Sequence, residues 1–201
     1  MPDLSAIHKI CGLLDRGEID RAQFFEQFTR ESAAEIGCSR ASVRMLVDTS
    51  GGRILRSLAT YDATLERLVH APDMANTNPA PYFALLLHDG CVVASDARTD
   101  PATVGFLDAY LLPMNVYSLL DVGFSVNGVL FGTFSCEMVA QAVQWAPRQL
   151  RLLRRIASRA SLTLMHAVTA QVDTAPGALW EPSSPNRLIT MTVPFDEDDT
   201  G

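Results

Sequence analysis

The chain has 201 residues, room for one well-buried core with terminal extensions and too few for two ordinary domains. Hydrophobic residues make up 48% and charged residues 19%, a globular composition, and no apolar run approaches the roughly 20 residues that cross a bilayer. The net charge of −7 sits mostly at the end, −5 of it on residues 173–201, which leaves the body without the basic footprint of a dedicated nucleic-acid binder.

Ser5 to Asp15 carries Ile7, Ile10, Leu13 and Leu14 at helical spacing, and Gly17 breaks the pattern. A second helix is expected from Asp20, where Asp20 and Gln23 form a capping-box pattern, through the apolar stripe Phe24, Phe25, Phe28, Ala33 and Ile36 to Gly37. The period then changes. Ser42–Val47 and Arg53–Ala59 read as strands of a hairpin joined by the turn Thr49-Ser50-Gly51-Gly52. Tyr61 to Pro81 is looser, punctuated by prolines and asparagines. Tyr82–His88 reads as a short helix, Val92–Ala94 as a short strand, and Pro101–Leu112 as a helix with proline in its first turn. Val116–Val126 and Val129–Glu137 flank Asn127-Gly128, the pair favoured in a type I′ hairpin. Pro147–Gln171 reads as one long helix with Leu150, Leu153, Ala157, Ala160 and Leu164 on one side. The expected organisation is an N-terminal helix over residues 1–19, a domain over 20–171, and an acidic, flexible tail over 172–201.

Four local patterns, in this order, carry a resemblance. They are Pro81-Tyr82-Phe83 before an apolar helix; Val93-Ala94-Ser95-Asp96 followed by Thr99-Asp100-Pro101; the segment Tyr117–Val122 with Asn127–Gly132; and Gln144-Trp145 with Gln149 before the last helix. Together they resemble GAF domains, a family of small-molecule sensors. The resemblance implies an α+β fold of PAS/GAF type: a central antiparallel sheet of five to six strands, terminal helices on one face, and short helices and loops covering a pocket on the other.

Alternation assigns faces in the long hairpin. With Val126 opposite Val129, one face carries Leu120, Val122, Phe124, Val126, Val129 and Phe131, and it should pack on helices. The other carries Leu119, Asp121, Gly123, Ser125, Leu130, Gly132, Phe134 and Cys136, where two glycines leave volume beside a carboxylate. The resemblance independently implies that this second face lines the ligand cavity. The candidate ligand-binding residues are therefore Asp121, Gly123, Phe134 and Cys136, with Phe83, Tyr110 and Tyr117 closing the cavity from the helix side. For Asp121 two readings stand side by side: ligand contact, or a structural role as a cap or as the partner of an arginine such as Arg98.

No catalytic constellation is visible, and no metal site or cofactor is expected. Cys11, Cys38, Cys91 and Cys136 lack metal or disulfide spacing and read as free thiols, and His8, His70, His88 and His166 show no metal pattern. Asp96 to Asn115 holds neither cysteine nor histidine, which speaks against a covalently attached bilin of the kind some GAF domains carry. The single lysine, Lys9, lies outside the domain, so the lysine-containing signature of cyclic-nucleotide GAF domains is missing. The enzymatic alternative within the family is a free methionine sulfoxide reductase using Cys91 and Cys136. The expected function is a cytoplasmic, stand-alone sensory or regulatory domain for a small molecule or a separate signalling protein, dimerising through its terminal helices. Its alternative is a pure interaction module with a filled pocket. Neither a membrane nor a nucleic acid is expected as a partner. Arg148, Arg151, Arg155 and Arg159 form a stripe on the last helix, which reads as a solvated face or as a docking site for the acids Asp196–Asp199.

Overall fold

The computed structural model describes residues 4–75 and 80–172. Helix α1 (Ser5–Asp15) buries Ile7, Ile10 and Cys11 and ends before Gly17, whose φ of 68° suits glycine. Helix α2 (Arg21–Ile36) begins with the full capping box. Asp20 accepts from the Gln23 backbone at 2.8 Å, and Gln23 accepts from the Asp20 backbone at 2.9 Å. Gly37 closes it in the left-handed conformation. Strands β1 (Arg40–Thr49) and β2 (Gly52–Asp62) form the first hairpin.

Within the loose stretch, Arg67–Leu68 adds β3 to the edge of β2, an element the polar sequence conceals. Farther on, Leu55 and Met74 exchange backbone hydrogen bonds of 3.1 and 2.9 Å and hold the return segment against β2. Helix α3 (Ala80–Asp89), strand β4 (Cys91–Ala94), the long hairpin β5 (Val116–Val126) and β6 (Val129–Val139), and helix α4 (Pro147–Val172) complete the fold. Asn127 and Gly128, at φ 52° and 78°, provide the two positive torsions that a type I′ turn needs.

The helix expected over 101–112 does not form as a regular α-helix. It is a series of turns, with a 3₁₀ segment at Val104–Phe106 and a π turn at Leu107–Leu111. Local side-chain bonds divert it at the start: Asp100 accepts from Ala102 N at 2.8 Å, and the Thr103 hydroxyl donates to Ala97 O at 2.7 Å. The widened turn directs Phe106, Tyr110 and Leu111 together into the core.

The six strands form one antiparallel sheet in the order β3-β2-β1-β6-β5-β4. One apolar cluster lies between this sheet and α1, α2 and α4, built on Phe24, Phe28, Leu153, Ile156, Phe124 and Phe134. A second lies on the opposite face, beneath α3 and the segment around Phe106 and Tyr110. Gln149 joins the terminal helices, accepting from Ala146 N at 2.9 Å and donating to Ile36 O at 3.0 Å. The acidic tail expected beyond α4 lies outside the described residues. Among those described, no helix is long and apolar enough to cross a membrane.

One irregularity redirects the site. In the long hairpin Ser125 pairs with Leu130, but Phe124 pairs with Gly132, so Phe131 is an extra residue in β6. A single inserted residue exchanges the faces of everything beyond it. Phe134 and Cys136, expected on the ligand face, therefore lie in the core packed on the terminal helices, with Phe134 5.3 Å from the Phe28 ring. Their places on the other face fall to Thr133, Ser135 and Glu137.

Candidate functional site

The face opposite the terminal helices carries a polar layer across three central strands. Register places Arg44 of β1 against Thr133 of β6 and Ser42 against Ser135, while Asp121 of β5 lies on the other side of Ser135. Over this layer lie Tyr82 from α3 and Tyr110 from the π turn. Arg44, Tyr82, Tyr110, Asp121, Thr133, Ser135 and Glu137 are all 0% exposed.

Two linked groups can be traced. Arg44 Nη2 donates to the Tyr110 hydroxyl and to Glu137 Oε1, the latter at 3.0 Å, and Tyr110 donates to the same Oε1 at 2.7 Å. The Arg44 guanidinium carbon also sits 4.6 Å from the Tyr110 ring centroid. Beside them, the Tyr82 hydroxyl donates to Asp121 Oδ2. The Tyr82 ring meets Phe83 and Phe106 edge-on at 5.3 and 5.1 Å, which fixes its direction.

Burial works against the Arg44 charge, yet Tyr110, Glu137 and Asp121 outweigh it and hold the guanidinium above its ordinary value. Arg44 and Glu137 balance each other, so Asp121 brings the surplus charge. Burial pushes the Asp121 carboxyl up to about 6, against the restraining effects of Tyr82, Ser135 and Arg44. Burial and the neighbouring Asp121 raise the Tyr82 phenol well above its usual value. Four polar atoms of this layer are buried without a hydrogen-bond partner: Arg44 Nε and Nη1, Glu137 Oε2 and Asp121 Oδ1. Two donors and two acceptors are thus left with unused capacity in one neighbourhood.

The remaining expected residues divide. Asp121, Gly123, Phe83 and Tyr110 lie on this side of the sheet, Phe83 being a buried residue of α3 itself. The volume expected at the glycines is used up. A Cβ on Gly123 would stand 2.7 Å from Leu130 Cδ1, and one on Gly132, which lies on the other face, would overlap the Arg44 carbonyl oxygen and the Phe124 ring. Tyr117 is half-buried away from the layer, with the Arg98 guanidinium carbon 3.6 Å above its ring. Arg98 donates to Val116 O and Asn115 Oδ1, so it is not the partner of Asp121. Alternation under an unbroken register concealed Glu137, Thr133 and Ser135, and Tyr82 was hidden among apolar neighbours. Arg44 left one sequence signal: a charge in the middle of an apolar strand, opposite in sign to Glu137 in another.

Of the cysteines, Cys136 is wholly buried and its thiol is pushed well above its ordinary value, by burial first and Cys38 second. Cys91 lies at the start of β4, where Arg154 Nη2 approaches its sulfur at 3.0 Å. They belong to the helix-side cluster, not to the polar layer.

Comparison with known proteins places this architecture. Solved structures with the same fold include the blue-light-absorbing form of the Thermosynechococcus elongatus PixJ GAF domain, at 18% identity and TM-score 0.56, covering 86% of this chain and 96% of that one. A protein in its far-red-absorbing dark state with bound biliverdin IXa matches at 15% identity and TM-score 0.63, over 82% of this chain and 99% of that one. The phycocyanobilin-bound GAF domain of a cyanobacterial phytochrome matches at 14% identity and TM-score 0.61, over 84% and 97%. A search of curated protein sequences found no match. The GAF domain family profile matches residues 20–164, most of the sheet and its covering helices, and the chain belongs to the GAF domain family.

Proposed function

We propose that this GAF domain is a non-enzymatic sensory domain that binds a small polar molecule at the layer formed by Arg44, Glu137 and Asp121 beneath α3. The observation that carries this reading is the set of four buried atoms with unused hydrogen-bonding capacity. Each such group costs about 1–3 kcal/mol when left unpaired, so a ligand offering both donors and acceptors gains from meeting them. An amphoteric compound of a few heavy atoms suits them. Two of the solved structures named above hold biliverdin or phycocyanobilin, but here the face beneath α3 is occupied by two tyrosines and an arginine. The cysteines also lie away from that face, which favours a smaller, non-covalent ligand. A raised thiol is a poor nucleophile, and Cys136 therefore gives little support to a reductase reading. Pairing of two copies through the terminal helices and a cytoplasmic setting belong to the same proposal.

The test is native mass spectrometry of the purified full chain, followed by thermal shift with small amphoteric metabolites. The expected result is a retained or added mass that raises the melting temperature and is lost in the R44M/E137L variant, which removes both charges while keeping apolar volume. The same spectrum reports the oligomeric mass. Retention of the ligand and its thermal shift by R44M/E137L overturns the proposed site. A second reading is favoured by the complete burial of the layer: the domain's own side chains fill the pocket and the protein acts through its surface. No retained mass and no shift in a folded wild type supports that reading.

A further inference from the structure

Helix α4 carries five arginines and no acidic residue. Arg148, Arg151, Arg155 and Arg159 are all exposed and follow one another at offsets of three, four and four, which aligns them on one face. Arg154, beside them, is engaged: it donates to Asp89 O at 3.1 Å and approaches Cys91 Sγ at 3.0 Å. Among the described residues none of the four stripe arginines has an ion-pair or hydrogen-bond partner. Like charges at this spacing repel, and those nearest the helix start also oppose the helix dipole. The stripe is therefore a face whose energy falls when an anion covers it.

We propose that the acidic segment Asp196–Asp199 of the same chain docks on this stripe and masks it from other anions. The inference goes beyond ligand binding at the polar layer and does not depend on it. Charge complementarity is one argument: four consecutive acids against four aligned arginines in a chain with few other charge clusters. Reach is the second. Val172 and Asp196 are separated by 24 residues, a length of chain that can reach up to about 80 Å. The centre of the stripe lies about 28 Å back along α4 from Val172, at about 1.5 Å per residue. That distance is within the reach of the connecting residues, and a tether that spans its two sites makes docking intramolecular. A nucleic acid is the weaker occupant, because the rest of the body has a net negative charge and provides no wider basic surface.

The test is mass-spectrometric footprinting of the full chain with an arginine-selective glyoxal reagent. In the wild type at about 20 mM salt, Arg148, Arg151, Arg155 and Arg159 should react about three-fold more slowly than in D196N/E197Q/D198N/D199N, and the gap should close at about 0.5 M salt. Arg67, on the far sheet edge, should react equally in both. The variant E26Q/E35Q/E66Q/D108N removes the same number of charges elsewhere and should leave the stripe protected. Equal stripe rates in wild type and tail variant overturn the proposal, as does the same loss of protection in the control variant. Protection that disappears on about ten-fold dilution also overturns it, since it places the tail on a second copy instead.

Discussion

Arg44 and Glu137 form a buried ion pair at 3.0 Å, and such a pair is worth most as something not to break. Replacing Arg44 with Met leaves Glu137 buried without its cation and is expected to cost about 3–5 kcal/mol in urea denaturation. R44M/E137L should recover most of that loss, because no uncompensated charge remains. Asp121 makes a separate prediction. Its carboxyl is raised to about 6, so between the ordinary carboxyl value and pH 6 the folded state holds a proton that the unfolded chain has released. Its contribution to stability is therefore full in acid and is lost as pH rises through about 6. Relative to D121N, the wild type should lose about 2 kcal/mol between pH 4 and pH 7, read as the difference between the two pH–stability curves. A pH-independent difference would place the proton elsewhere. Asp121 could be picked out from sequence as a lone carboxylate on an apolar strand, but its partners could not, since they come from three other segments of the chain.

At the level of elements, boundaries follow local chemistry wherever that chemistry is self-contained. The Asp20–Gln23 box starts α2, Gly37 ends it, and Asn127-Gly128 turns the long hairpin without help from elsewhere. The π turn at Leu107–Leu111 and the extra residue at Phe131 are different in kind. Each leaves the local sequence pattern nearly unchanged and is decided by what the segment must pack against. The two hairpin glycines separate these cases experimentally. Gly128→Ala strains one turn residue with positive φ and should cost about 1 kcal/mol. Gly132→Ala drives a methyl group into the Arg44 carbonyl and the Phe124 ring, and should cost about 3 kcal/mol, at the upper end for overpacking. Thermal unfolding of both variants gives the comparison, and equal losses would mean that β1 and β6 separate freely at Gly132.

For the molecule as a whole, the sheet divides two kinds of interior. The side toward α1, α2 and α4 is apolar and, Phe134 and Cys136 apart, is built from residues that helical or strand periodicity selects. The side toward α3 mixes apolar packing with a buried charged layer, and such a layer costs stability unless its bonds are completed. A domain that only needed to fold would have no evident use for it, and for that reason the proposed site is put there. The exposed helix outside carries its own unbalanced charge, so sensing beneath α3 and contact along α4 would use opposite sides of one sheet.

The sequence by itself determined the order and type of nearly all elements, the antiparallel α+β class, the terminal helices on one face, and the place of Asp121 on the opposite face. It could do so because caps, turns and apolar periods act over a few residues. Tertiary structure alone decided which side chains meet Asp121. One bulge at Phe131 moved Phe134 and Cys136 into the helix-side core and brought Glu137, Ser135 and Thr133 to the polar face, because strand side chains alternate and a single added residue reverses every one beyond it.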